Sequence, residues 1–537
     1  MAGGPVWREM SASSHTTIHP IRPVAARRRR VLLLVLDGLR PGSINAKLMP
    51  NLARLAAQGV TYTRSRTGFP SETMVGAGEL MSGAYPERSG VTSNLMMVPS
   101  GPSRGVELKS LAGIEQMRDG YGGRALASTS IFEALGSAGK TSAMIGKEGP
   151  AELASLAGAD WTVSSGGSLT SPRGLALEET RASQPLAQMV EAVAGPAPAS
   201  GKDDDGARSR WLVAAAAAVD AAHAPDLLTV WLTDPDKTQH GHGLGTASQR
   251  AALLDADRAI GQLFADLEAR GVLADFDIVV TSDHGFSDHV EAPKVPLADA
   301  LKEAGLDVSH VVASGNQHLV RFRHDPTPQD FAKLRATIAA APFAKLVRTV
   351  IDNPRAGVAG DRRSDGRLTG RDLRQGSTRA ADAYVIYQRD DVGVPGPRSS
   401  GGRGPASVMA NPGSNKAGHG SLGWSDINNT LVVAGPSFDQ AQRGRAALRT
   451  SAPAGIFDIA PTIAHLLGVA TPGSMQGRVL AEALAGADGG DGHVGRVKRR
   501  RSVAWTDVTL GARTVRTGLV TEWVGAASYL ERLITRG

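Results

Sequence analysis

The run Val31-Leu32-Leu33-Leu34-Val35-Leu36, entered from Arg27–Arg30 and left through Asp37-Gly38, constrains this chain most. Consecutive branched apolar residues leave no face for water, so a strand built from them must be covered on both sides. Such a strand belongs inside a parallel sheet with helices on either face. Its polar end at Asp37 then opens where doubly wound sheets bind their ligands. The run is too short to span a bilayer, and Asp37 cuts it.

Leu227–Leu232 and Asp277–Thr281 repeat this pattern, and Ser142–Ile145 is a weaker copy that runs into Gly146-Lys147. Between them, helices are expected over Pro50–Ala57, Thr73–Leu80, Ser130–Ala138, Trp211–Ala222 and Gln249–Ala269. A further helical period covers Pro185–Ala194, and Gly455–Leu467 is expected to be a helix. The alternation predicts an α/β fold: a mostly parallel central sheet with helices on both faces.

Residues 289–405 differ, with short strand candidates Leu319–Phe322, Leu346–Val350 and Ala383–Gln388, as in an inserted cap subdomain; a strand at Asn429–Ala434 resumes the core. The expected division is a flexible basic extension (1–28), the core's first part (29–288), the cap (289–405), the core's second part (406–485), and a C-terminal loop with terminal elements (486–537). Gly486–Gly492 reads as a surface loop.

The chain has no cysteine, which excludes disulfides, thiolate metal sites and a cysteine nucleophile. Its formal charge of +7 owes much to Arg27–Arg30 and Arg496–Arg501. These clusters have few aromatics beside them and read as solvated surface rather than a nucleic-acid-binding module. No transmembrane segment or secretory signal is recognised. The cytoplasm is the default location, with secretion or a periplasmic location left open, and the oligomeric state is undetermined.

Acidic and imidazole side chains gather behind the predicted strands. Asp37 follows the first; Asp234, Asp236 and His240 follow Leu227–Leu232; Asp283 and His284 follow Asp277–Thr281; His242 and His419 lie in glycine-rich loops. Each alone has a plain alternative as a helix cap or turn residue. Together, at one sheet edge, they form an oxygen- and nitrogen-rich donor set without sulfur, compatible with Zn²⁺, Mn²⁺ or Fe.

The blocks "VLLLVLDGLRP", "MPNLARLAAQGVTYTRSRTGFPSETMVGAGELMSGAYPERSGV", "DPDKTQHGHG", "SDHGFSDH" and "GHGSLG" occur in this order. They resemble the type I phosphodiesterase and nucleotide pyrophosphatase branch of the alkaline phosphatase superfamily, and "FDIAPTIAHLLGV" extends the likeness to about residue 480. The resemblance implies an alkaline-phosphatase-like core with two divalent metal ions, Zn²⁺ being expected. It implies one ion on Asp236, His240 and His419, and another on Asp37, Asp283, His284 and the hydroxyl of Thr73.

Thr73 is the implied nucleophile, because relatives place it ten residues before the glycine of a "TG-x-YP" segment, here Gly83. Thr67 is the nearby alternative that this spacing rejects. Relatives also suggest an asparagine three residues after the nucleophile, where this chain has Gly76. Lys147 follows a strand and reads first as a solvated lysine, with an approach to the phosphate as the alternative. Asp234, His242 and His289 are candidates to orient the ligands.

The implied reaction is hydrolysis of a small phosphorylated substrate, a phosphodiester first, through a phospho-threonine intermediate. A phosphomonoesterase, a phosphonate-cleaving relative and a non-catalytic metal-binding protein are the alternatives.

Overall fold

Strand β1 (Arg30–Leu36) is buried along its whole length. Its side chains divide strictly by parity, as the pleat requires. Val31, Leu33 and Val35 join one hydrophobic cluster, and Leu32, Leu34 and Leu36 join another on the opposite face. The computed structural model describes residues 28–166, 169–171, 175–176, 184–198, 205–289, 292–355, 368–389, 406–411, 413–438, 448–485 and 497–536. The expected extension, save Arg28, and the Gly486–Gly492 loop lie outside the described residues.

Around β1 stand β2 (Ser142–Gly146), β3 (Leu227–Leu232) and β4 (Phe276–Thr281), in the order β4-β1-β3-β2 and all parallel. Among the described residues the sheet has ten strands, and Leu431–Ala434 pairs antiparallel with β4. Helix α1 (Thr73–Ser82) contributes Met74, Ala77, Leu80 and Met81 to one face, where α5 (Ile459–Leu466) also packs. The other face is covered by α2 (Asp205–His223) and α4 (Ala247–Ala269), through residues such as Leu212, Val219, Leu253 and Ile260. Each fully buried branched side chain contributes roughly 1.5–3 kcal/mol. The expected α/β architecture is the one observed.

Boundaries moved where side chains cap the helices. Thr246 accepts from Gln249 N, so α4 begins at Ala247 rather than Gln249. Ser130 and Glu133 close a capping box, and the helix there runs Ile131–Ser137. The Gly455–Leu467 helix is broken into a 3-10 turn at Ile456–Asp458 and α5.

Within 289–405, four antiparallel strands form one sheet in the order Val308–Ser314, Gln317–Phe322, Ala383–Tyr387, Val347–Asp352. Its first strand has no counterpart in the sequence expectation. Nor do the three long strands at the C-terminus, Arg499–Leu510, Arg513–Val524 and Ala527–Arg536, which form an antiparallel meander. Charged and polar residues interrupt the apolar alternation there, which hid the period of two.

The meander is fastened to the core through the hydroxyls of two buried tyrosines. Tyr85 Oη donates to Ser528 O at 2.8 Å. Tyr529 Oη donates to Asp458 Oδ2 at 3.0 Å and accepts from Arg478 Nε at 2.9 Å. Burial pushes Asp458 up to about 6, against the pull of Arg478. Replacing Tyr529 with Phe keeps the ring and strips both bonds, so the expected loss is about 1–3 kcal/mol, read from urea unfolding. An unchanged midpoint would mean that these bonds add nothing.

Candidate metal centre and nucleophile

Three parallel strands end side by side, and each is followed by a carboxylate. Asp37 continues β1, its amide bonded to Leu232 O at 3.1 Å. Asp236 opens the short helix α3 (Asp236–His242), and its amide donates to Asp37 O at 3.0 Å. Asp283 follows β4 and accepts from Gly38 N at 3.0 Å through Oδ1. All three carboxylates are buried.

One oxygen of each carboxylate lacks a hydrogen-bond partner: Asp37 Oδ1, Asp236 Oδ1 and Asp283 Oδ2. Stranding buried charge this way is expensive unless a cation answers it. Asp236 Oδ1 lies 3.4 Å from His240 Nε2, 3.4 Å from His419 Nε2 and 3.9 Å from His284 Nε2. Asp283 Oδ2 is 3.1 Å, and Asp37 Oδ1 3.6 Å, from His284 Nε2.

The imidazoles are oriented from behind. His240 Nδ1 meets Ala417 O at 2.9 Å, His284 Nδ1 meets Gly285 O at 2.9 Å, and His419 Nδ1 meets Ser71 O at 2.8 Å. A carbonyl only accepts, so in all three rings Nδ1 carries a proton and Nε2 is the nitrogen that faces the carboxylates, free to serve an ion bound there. Among the described residues, two groups of donor atoms are compact enough for one ion each: Asp236, His240 and His419, and Asp37, Asp236 and His284. Asp236 belongs to both, whereas the resemblance gave it to the first alone. The donor set therefore fits two divalent ions by its orphaned oxygens and its nitrogen lone pairs.

The electrostatics carry the same tension. Burial and the neighbouring Asp283 hold Asp37 well above the usual carboxylate range, although Lys147 pulls it down. Burial also raises Asp283, to about 6. Asp236 is held well below its usual value because Lys147 and His240 outweigh its burial. Lys147 Nζ sits 2.9 Å from Asp37 Oδ2 and 3.6 Å from Asp236 Oδ2, so it is no solvated lysine.

Thr73 is the first residue of α1, and its Oγ1 lies 3.4 Å from His284 Nε2. Thr67 is turned away into the core, where its hydroxyl reaches Glu79 Oε2 at 3.4 Å. Gly76 has a steric role. A Cβ there would stand 2.8 Å from Asp283 O and 2.9 Å from Asp283 Cβ, so only glycine lets α1 close on that turn. Asn94 stands at the head of α1, where its Oδ1 accepts from Met74 N at 2.8 Å.

Of the three candidates to orient ligands, Asp234 caps α3, accepting from Thr238 N at 3.1 Å and Thr238 Oγ1 at 2.9 Å. His289 packs behind the His419 loop, its Nδ1 3.2 Å from Asn415 O. His242 is exposed at the end of α3.

Other contributors escaped the sequence reading. Trp231 Nε1 donates to Asp37 Oδ2 at 2.9 Å; an indole inside an aliphatic strand needs an acceptor, and that was the available signal. Ser71 holds the His419 loop twice more, donating to Ser421 O at 2.8 Å and accepting from Gly420 N at 3.1 Å. Glu72 Oε2 accepts from Asn94 N at 2.7 Å, and its other oxygen meets Ser314 Oγ of the four-stranded sheet. Nothing in the sequence signals these long-range partners.

Comparison with known proteins agrees with this layout. The family described as "Type I phosphodiesterase / nucleotide pyrophosphatase" matches residues 31–389. The chain belongs to that family, which classes it with the phosphoric ester hydrolases of the alkaline phosphatase superfamily. Venom phosphodiesterases 2 and 1 of Crotalus adamanteus are each 22% identical over 268 residues, half of this chain. That stretch spans only 28% and 26% of their own lengths.

Among solved structures, murine ectonucleotide pyrophosphatase/phosphodiesterase 5 is similar in fold. It superposes with a TM-score of 0.52 at 16% identity, covering 83% of this chain and 96% of that one. An inactive threonine-to-alanine form of the murine protein, in complex with AMP, gives 0.54 at 15% identity over the same coverage. Among the described residues, no helix is long and apolar enough to cross a membrane.

Two substitutions probe this local architecture. Gly76→Ala should cost about 1–3 kcal/mol by overpacking and lower the stoichiometry of bound metal; full stability and full metal content would refute the steric role. Glu79 is raised by burial to about 8 from 4.5, so its contribution to stability is complete below 4.5 and lost as pH rises through 8. Glu79→Gln should flatten the fall in Tm across that window, and a parallel fall would contradict the shift.

Proposed function

We propose that this chain hydrolyses phosphate esters, phosphodiesters first, through a phospho-threonine on Thr73. One observation carries the reading: a helix-start hydroxyl lies beside three buried carboxylates with orphaned oxygens and three imidazoles facing them. The inactive threonine-to-alanine form of the murine relative with AMP supports both a nucleophilic threonine and a phosphorylated ligand.

Asp236, His240 and His419 would hold one divalent ion, and Asp37, Asp283, His284 and Thr73 another, zinc suiting this mix of nitrogen and oxygen. Ions held there supply Lewis acidity to the attacking and leaving oxygens.

Thr73 Oγ1 gives up its proton and attacks phosphorus as the bond to the leaving alcohol breaks. That alcohol departs with a proton, leaving the phosphoryl group on threonine. Water then attacks the phosphorus, Thr73 regains its proton, and a phosphate monoester is released. Asn94, with its oxygen occupied by Met74 N, has its amide NH₂ for a phosphoryl oxygen; α1 adds the positive end of its dipole.

A second reading, phosphomonoester hydrolysis, is favoured by Lys147, a fixed cation beside Asp37 suited to the extra charge of a monoester.

Metal analysis should find about two ions per chain. Thr73→Ala should lower turnover of aryl phosphodiesters by about 10³-fold or more, with Thr67→Ala within about threefold of the parent. The reverse ranking would discard Thr73, and a protein without stoichiometric metal would discard the mechanism. Parallel monoester assays decide the second reading: Lys147→Ala should then reduce kcat/KM for monoesters far more than for diesters.

A further inference from the structure

The residues on either side of Thr73 are tied to one partner. Glu72 Oε2 accepts from Asn94 N at 2.7 Å, and Met74 N donates to Asn94 Oδ1 at 2.8 Å. The two bonds close a ring across the head of α1, with Thr73 as its middle residue. Glu72 is the N-cap of α1, yet its carboxylate caps no amide of that helix. The amide of Met74, which the helix itself leaves unpaired, is satisfied from Asn94 instead, and Glu72 in turn holds Asn94.

The carboxylate is anchored outward as well. Ser93 Oγ donates to Glu72 Oε2 at 3.1 Å. Ser314 Oγ, at the end of the first strand of the four-stranded sheet, donates to the other oxygen. Glu72 is buried, and these three donors are neutral. An apolar side chain would fill the space at less cost than a carboxylate held this way. The position therefore uses the carboxylate for its acceptor atoms.

We propose that Glu72 is a positioning residue for the hydrolysis: by holding Asn94 N, it sets how Asn94 presents its amide NH₂ and how Thr73 stands at the head of α1. Glu72 has this role only if Thr73 and Asn94 act as proposed above. What counts is where its oxygens lie, since Asn94 N asks only for an acceptor. A reacting group displaced by about 1 Å can lose about 10²-fold in rate.

The test uses the full metal-loaded chain turning over bis-p-nitrophenyl phosphate, with bound metal and Tm measured for every variant. Glu72→Ala should lower kcat by about 10²-fold, with KM within about threefold and bound metal unchanged. Glu72→Gln keeps an oxygen at the same reach and should hold kcat within about fivefold of the parent. Glu72→Asp keeps the charge but draws it back by one methylene, and should fall with Glu72→Ala. These two carry the test if Glu72→Ala does not fold. Added to Asn94→Ala, Glu72→Ala should cost less than about twofold more, because the ring is already open. A Glu72→Gln protein as slow as Glu72→Ala, a Glu72→Asp protein as fast as the parent, or losses that multiply in the double variant overturn the proposal. Thr73→Ala in parallel separates the two levels. If it stays active, the mechanism itself falls; if it is inactive beside an undiminished Glu72→Ala, Glu72 alone is discarded.

Discussion

Three carboxylates, Asp37, Asp236 and Asp283, meet in the interior at the ends of neighbouring strands, and their repulsion sets the terms for everything around them. Burying one ion costs several kcal/mol, and burying three together costs more unless cations and donors are built around them. Lys147, Trp231 Nε1, Gly38 N and the imidazoles supply part of that answer. The orphaned oxygens mark the part left for bound ions.

The same constraint explains why so much of the chain serves one small volume. Histidines that must present Nε2 need their Nδ1 atoms held by carbonyls fixed elsewhere, and Ser71, Gly285 and Ala417 provide them. The Ser71-Glu72-Thr73 segment works in three directions: Ser71 grips the His419 loop, Glu72 ties Asn94 and the four-stranded sheet, and Thr73 presents its hydroxyl. Gly315, at the tip of a hairpin in that sheet, sits where a Cβ would be 2.5 Å from His419 O. The four-stranded sheet within 289–405 is thereby a support of the site.

Steric economy also sorts the threonines. Gly76 brings the head of α1 onto Asp283 and so places Thr73 beside His284, while Gly68 lets Thr67 fold onto buried Glu79. A spacing of ten residues to Gly83 separates the same two threonines. The geometric cause is that α1 starts after Thr67 and ends at Gly83, a left-handed cap.

By itself, the sequence determined the parallel sheet, because unbroken apolar runs such as Val31–Leu36 have only one stable setting. It also determined the carboxylate and imidazole positions, because polar residues directly after such strands must lie at the sheet's ligand edge. Its limits were equally physical. The C-terminal meander was illegible because arginines, threonines and tryptophans break the apolar alternation along strands that are largely exposed in their first halves. Asn94, Ser71, Glu72 and Trp231 take their roles from partners on other elements, 20 to 350 residues away. Only the tertiary structure decided that Lys147 lies between Asp37 and Asp236, that Asp236 faces all three histidines, and that Gly76 is needed for its missing side chain. Local patterns carry burial and backbone direction, whereas a charge's partner is chosen by packing.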